Sequence, residues 1–145
     1  MNHTQSIVKE VTINAPVSKV WKALSEKEQI NKWFMVTEDF DTTPGAKFHI
    51  GKKKDGSNHI KCTLTEFIPE KKISYTWDVF EPPVETLVTY EIEPDGDKTK
   101  LTLTHSRFEL VAADEREQSV KDHTGGWSHF MNKIKEYIES NSEAN

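Results

Sequence analysis

Cysteine is almost absent from this sequence. Cys62 is the only one among 145 residues, so no disulfide can form within the chain. A reducing, cytoplasmic setting is the default expectation. Long apolar runs are absent too: none approaches the roughly 20 residues that cross a bilayer. Met1 to Ser6 are polar, with no apolar segment behind them, so neither a membrane span nor a signal peptide is expected. Positive charge is in deficit, with a net charge of −5. Such a chain lacks the basic surface that phosphate neutralisation requires, which argues against nucleic acid and against anionic membranes. The one basic run, Lys52-Lys53-Lys54, abuts Asp55-Gly56 and reads as a solvated hairpin tip. Gly45, Gly51, Gly56, Gly96, Gly125 and Gly126 form neither a dinucleotide fingerprint nor a phosphate loop, and no Gly-x-Ser-x-Gly elbow exists. His3, His49, His59, His105, His123 and His129 include no His-Glu-x-x-His pair, and a lone cysteine excludes a Cys-rich zinc site. No metal and no cofactor are expected.

What is present is patterning. A chain of 145 residues suits one domain, with a core from about residue 7 to about residue 138. Ile7, Lys9, Val11 and Ile13 alternate with Val8, Glu10 and Thr12, as in a half-buried strand. Ala15-Pro16 opens a short helix whose apolar stripe is Val17, Val20, Trp21 and Leu24. Ser25 and Glu28 fit a capping box that restarts a second short helix carrying Ile30, Trp33 and Phe34 inward. From Pro44-Gly45 onward the pattern is strands and turns, with hairpin signals at Asp55-Gly56 and Asp95-Gly96. Ile60, Cys62 and Leu64 share one side of a strand. Ile73, Tyr75 and Trp77 do so in the next, then Val88, Tyr90 and Ile92, then Leu101, Leu103 and His105. Residues 111–122 carry weak helical character. Trp127, Phe130, Met131, Ile134, Tyr137 and Ile138 then follow helical spacing. The fold class is therefore α+β: a curved antiparallel sheet of about six or seven strands, two short helices after the first strand, and one long C-terminal helix. That helix is the only element large enough to cover the sheet's apolar face.

The combination Ala15-Pro16-x-x-x-Val20-Trp21-x-Ala23-Leu24, then Trp33-Phe34, then Gly126-Trp127, resembles the family of activators of the heat-shock chaperone ATPase. That family lies in the START-like superfamily, which shares the helix-grip fold with birch-pollen allergens and polyketide cyclases. The resemblance covers Ile7 to about Ile138. It implies a helix-grip domain with a cavity between sheet and long helix, of the kind used for lipids, sterols, polyketides or other aromatic compounds. The eukaryotic chaperone co-activators carry an additional N-terminal domain that contacts the chaperone, whereas here the pattern opens directly on the first strand.

Three functions follow as expectations. The first is a monomeric binding protein for a small apolar or aromatic molecule. Its pocket would be bounded by Phe48, Cys62, Tyr75, Trp77, Val88, Tyr90, Leu103, His105, Trp127 and Met131. Rings supply apolar area, and a polar tip fixes orientation. The second is an interaction protein that contacts a chaperone through its outer surface. The third is a cyclase-like or hydrolase-like enzyme, for which only His105 with Tyr75 or Tyr90 offers a titratable pair. Two roles fit His105: a hydrogen-bonded core histidine, or the anchor of a ligand's oxygen. Cys62, between Lys61 and Thr63 in a strand, reads as a small hydrophobe. Gly125 and Gly126 each cost a helix about 1 kcal/mol relative to alanine. Either close passage of the helix over the sheet or room at a cavity mouth would offset that.

Overall fold

The computed structural model describes residues 6–35, 37–52, 58–78 and 84–140. Strand β1 (Ile7–Ile13) is followed by helices α1 (Val17–Ser25) and α2 (Lys27–Trp33). Strands β2 (Lys47–Lys52), β3 (Asn58–Ile68), β4 (Lys72–Trp77), β5 (Thr86–Asp95) and β6 (Lys98–Ser106) come next. A 3-10 turn, Phe108–Leu110, leads into the long helix α3 (Ala113–Ser140). The six strands form one antiparallel sheet in the order β1-β6-β5-β4-β3-β2. The chain thus lays a meander from β2 to β6 and returns β1 to its far edge, where Ile7 pairs with His105 and Ile13 with Thr99.

Alternation sets the buried face. On β6 Thr99, Leu101, Leu103 and His105 are buried, and on β5 Thr86, Val88, Tyr90 and Ile92. Strand β4 departs from the expected alternation, since Ser74 and Thr76 are buried as well as Ile73, Tyr75 and Trp77. Their hydroxyls are absorbed within the sheet. Ser74 donates to the Val88 carbonyl (3.2 Å), and Thr76 accepts the Thr63 N–H (2.8 Å). The β5–β6 hairpin turns on Gly96-Asp97, with Asp95 paired to Lys98. Gly96 has φ +67°, a region glycine enters at little cost. The Asp55-Gly56 signal lies outside the described residues.

Two expectations need correction. Ser25 is the last residue of α1, and its hydroxyl donates to the Trp21 carbonyl (2.7 Å) instead of capping the next helix. Glu26, in extended conformation, separates the two helices, and no side-chain hydrogen bond caps α2. The capping box fails because a serine in a final helical turn bonds back to the carbonyl four residues earlier. Second, the stretch read as only weakly helical, residues 111–122, is the start of the long helix itself: α3 begins at Ala113 and runs 28 residues, about 42 Å at 1.5 Å per residue. Arg116 in its first turns gathers the carbonyls of Phe108, Glu109 and Val111 (2.8–3.0 Å). That clamp holds the 3-10 turn, and with it Phe108, against His105 (ring centroids 4.5 Å apart).

Helix α3 lies over the sheet through Trp127, Met131, Ile134 and Ile138, all buried, with Phe130 half-buried. Its C-terminal half is fastened to the end of β1. Glu139 accepts the Asn14 N–H (2.8 Å), and Lys135 donates to the Thr12 carbonyl (3.1 Å). Helices α1 and α2 close one end of the structure. There the Trp33 indole donates to the Ala23 carbonyl (2.8 Å). Asn31 ties the following segment down by exchanging hydrogen bonds with the Thr37 N–H (2.7 Å) and carbonyl (2.8 Å).

Candidate functional site

Three parts of the chain converge beside α3. Strand β4 carries Trp77 inward near its end, and β3 contributes His59 and Ile60 near its start. Phe34 and Met35 follow α2, and α3 presents Asp122, His123, Gly126, Trp127 and Phe130. Between them lies a cavity of about 260 Å³. That is just below the ~300–1,000 Å³ range of ligand pockets and larger than the ~150 Å³ cavity that accepts benzene.

The walls are aromatic. Trp77 and Trp127 lie 5.1 Å apart between centroids, and Phe34 stacks on Trp127 at 5.6 Å. Phe130 meets Phe34 edge-on at 4.6 Å. Both indole N–H groups that could have served a ligand are already committed. Trp127 donates to Nδ1 of His105 (3.0 Å) and Trp77 to Nε2 of His123 (3.2 Å). An indole nitrogen only donates, so each bond fixes a tautomer. His105 therefore carries its proton on Nε2, which faces the Thr86 hydroxyl at 2.7 Å, and Thr86 donates onward to the Trp77 carbonyl (2.8 Å). His123 carries its proton on Nδ1 and donates it to the Ser119 carbonyl (2.8 Å). Burial, with His123 as neighbour, pushes the His105 pKa down to about 2. Burial likewise lowers that of His123. Both rings are neutral at ordinary pH and work as acceptors for the tryptophans.

The other titratable candidates are equally quiet. The hydroxyls of Tyr75 and Tyr90 bond each other at 3.0 Å, and burial raises both pKa values. Burial also pushes the Cys62 thiol up, which keeps it from acting as a thiolate. His105 therefore pairs with Thr86 and Trp127, and the tyrosines pair with each other.

Of the ten residues expected to bound a pocket, Trp77 and Trp127 line this cavity. Tyr75 and Tyr90 line a second space of only about 10 Å³, together with Thr37. Phe48, Cys62, Val88, Leu103, His105 and Met131 are buried in the core and belong to neither wall. The sequence reading missed most of the wall, His59, Asp122 and His123 among it. His123, Trp127, Phe130 and Ile134 stand at spacings of four, three and four on α3. That stripe becomes readable once the helix is extended back through residues 113–122. The structure also places the glycine pair. A Cβ added at Gly125 or Gly126 would meet nothing within 4 Å, so no backbone passes close there. Gly126 instead borders the cavity.

A family model described as "Activator of Hsp90 ATPase homolog 1-like protein" matches residues 14–139. No curated protein matches the chain by sequence. Among solved structures, protein MLL2253 from Mesorhizobium loti superposes with a TM-score of 0.81 at 24% identity, over 93% of this chain and 97% of that one. CalU16 from Micromonospora echinospora gives 0.75 at 22% identity, over 93% and 76%. The Aha1 dimer from Colwellia psychrerythraea gives 0.73 at 18% identity, over 92% and 96%. At these identities the likeness is one of fold.

Proposed function

The chain belongs to the Activator of Hsp90 ATPase homolog 1-like family, and from that premise we propose that it binds a small apolar or aromatic molecule without transforming it. The observation that carries the reading is the ring-walled cavity between β3, β4 and α3, of about 260 Å³. A non-catalytic role is supported by the protonation states: two neutral histidines used as acceptors, a tyrosine pair bonded to itself, and a thiol held protonated. None offers the base-and-nucleophile pair that acyl or proton transfer requires. Only three large apolar side chains are exposed among the described residues, Val8, Ile68 and Leu110. This favours an interior ligand over a protein partner held on an apolar surface.

The test is a panel of one- and two-ring aromatics, flavonoids, sterols and fatty acids, read by melting temperature and tryptophan fluorescence. A ligand at 100 times its dissociation constant stabilises the native state by about 2.7 kcal/mol, a rise of about 2–8 °C for a domain of this length. Trp77 and Trp127 line the cavity, so their emission should change with binding. If the whole panel leaves both signals unmoved, the reading fails in favour of a chaperone-associated partner that acts through the outer surface.

A further inference from the structure

The chemistry of the cavity wall specifies the sign of charge its ligand can carry. No Lys or Arg lines the cavity among the described residues. Its two indole N–H groups are spent on His105 and His123, and the second ring nitrogen of His123 is spent on the Ser119 carbonyl. A carboxylate brought here would lose its hydration and meet, of the wall's side chains, only the exposed His59 ring as a donor, a large penalty for a buried charge. What remains besides that ring is the faces of the aromatic rings and one carboxylate. Trp77, Trp127, Phe34 and Phe130 surround the space. Asp122 stands on the same wall with its side chain exposed, its Oδ1 accepting from the Gln118 amide (2.9 Å). Ring faces carry negative quadrupole density and attract cations, tryptophan most strongly.

On the small-molecule reading above, we propose that the ligand is a flat organic cation, with rings of one or two fused units against Trp77 and Trp127 and an ammonium directed to Asp122. The volume sets the ring count: about 260 Å³ is less than twice the ~150 Å³ that accepts benzene, too little for a sterol nucleus. The overall charge of −5 favours approach of a cation.

Three probes that share one naphthalene ring system separate the possibilities: (2-naphthylmethyl)trimethylammonium, 2-naphthalenemethanol and the 2-naphthaleneacetate anion. Each is titrated calorimetrically into the intact protein at pH 8, above the ordinary range of histidine. The ammonium should bind about tenfold tighter than the alcohol, the size of a cation–π contact reinforced by a carboxylate, and the acetate should bind most weakly. Asp122→Asn should remove about three- to fivefold from the ammonium affinity, the share an exposed carboxylate contributes. Glu117→Gln, an exposed change on the same helix with the same loss of charge, should alter it less than about twofold. An alcohol or acetate that matches the ammonium would overturn the cation inference while leaving the small-molecule reading intact. So would an ammonium affinity that Asp122→Asn leaves unchanged, or one that Glu117→Gln lowers equally. If none of the three probes binds or raises the melting temperature, the cation inference falls, and the small-molecule reading is decided by the wider panel.

Discussion

Both nitrogens of His105 are engaged, and that makes its neutrality part of the fold's stability. The ring accepts from Trp127 and faces Thr86, while Trp77, Phe108 and His123 pack around it. His123 is the one other titratable group among these. In the folded state, burial lowers the His105 pKa from its ordinary 6.5 to about 2. Above pH 6.5 both folded and unfolded chains hold a neutral ring, and the stabilisation is complete. As pH falls below 6.5 the unfolded chain takes a proton that the folded chain refuses, so stability drops steadily toward pH 2. Two pH units of that window amount to about 2–3 kcal/mol. Urea unfolding at pH 6.5 and 4.5 measures it. His105→Gln, which keeps an acceptor and a donor, should lose about 2–3 kcal/mol less across that interval than the parent. Parallel profiles would show that the acid sensitivity resides elsewhere, for instance in Asp39 or Glu139, whose carboxyl pKa values are also lowered. A second expectation concerns Thr37, whose buried hydroxyl has no partner among the described residues. Thr37→Val should be neutral or stabilising by up to about 1 kcal/mol in the same assay, because it removes an unsatisfied polar group. From sequence, His105 could be placed on the inner face by alternation. Its partners could not, because they come from positions 19 and 22 residues away and depend on the curvature of the sheet.

At the scale of elements, α3 decides what the cavity is. Its C-terminal half was legible because Trp127, Met131, Ile134 and Ile138 repeat with helical period. Its first turns read only as weakly helical, because residues 113–122 present charges around most of the helix and take their order from the Arg116 clamp, a tertiary feature. Without a firm helix there, Asp122 and His123 could not be placed at the site. The glycine pair gives a direct test of the element. Gly126→Ala adds a methyl where nothing lies within 4 Å, so helix propensity alone should raise stability by about 1 kcal/mol in urea. Gly126→Leu should fold and melt no lower than the parent. It should lose binding of any probe that occupies the cavity, since its side chain has that space to fill. A folded Gly126→Leu protein that binds unchanged would place the ligand elsewhere. Val88→Phe is the contrasting case. Val88 is fully buried outside both cavities, and overpacking there should cost about 1–3 kcal/mol.

At the scale of the whole molecule, strand alternation and one long amphipathic helix made the architecture readable, because every inward position on β4, β5 and β6 is a burial requirement that sequence alone displays. The cavity is a different kind of object. It is the volume left where the rings of β4 and α3 and the residue after α2 fail to close, and no single segment encodes a remainder. Most inward rings, Phe48 and Tyr75 among them, fill space instead of bounding it (their centroids are 5.2 Å apart). The sheet also pairs its first strand with its last, so closing the fold requires contacts about a hundred residues apart, the kind that slows folding to milliseconds or longer. Stopped-flow refolding faster than that would mean β1 docks after the rate-limiting step. The open ground in front of Gly126 has one more implication, for how such a scaffold diversifies. A single codon on one turn of α3 works as a size dial: glycine, alanine, serine or valine there would each set a different pocket depth. The sheet, the histidine–tryptophan bonds and the Arg116 clamp would stay as they are. Descendants of one ancestor could therefore come to prefer ligands of different bulk by drift at that site.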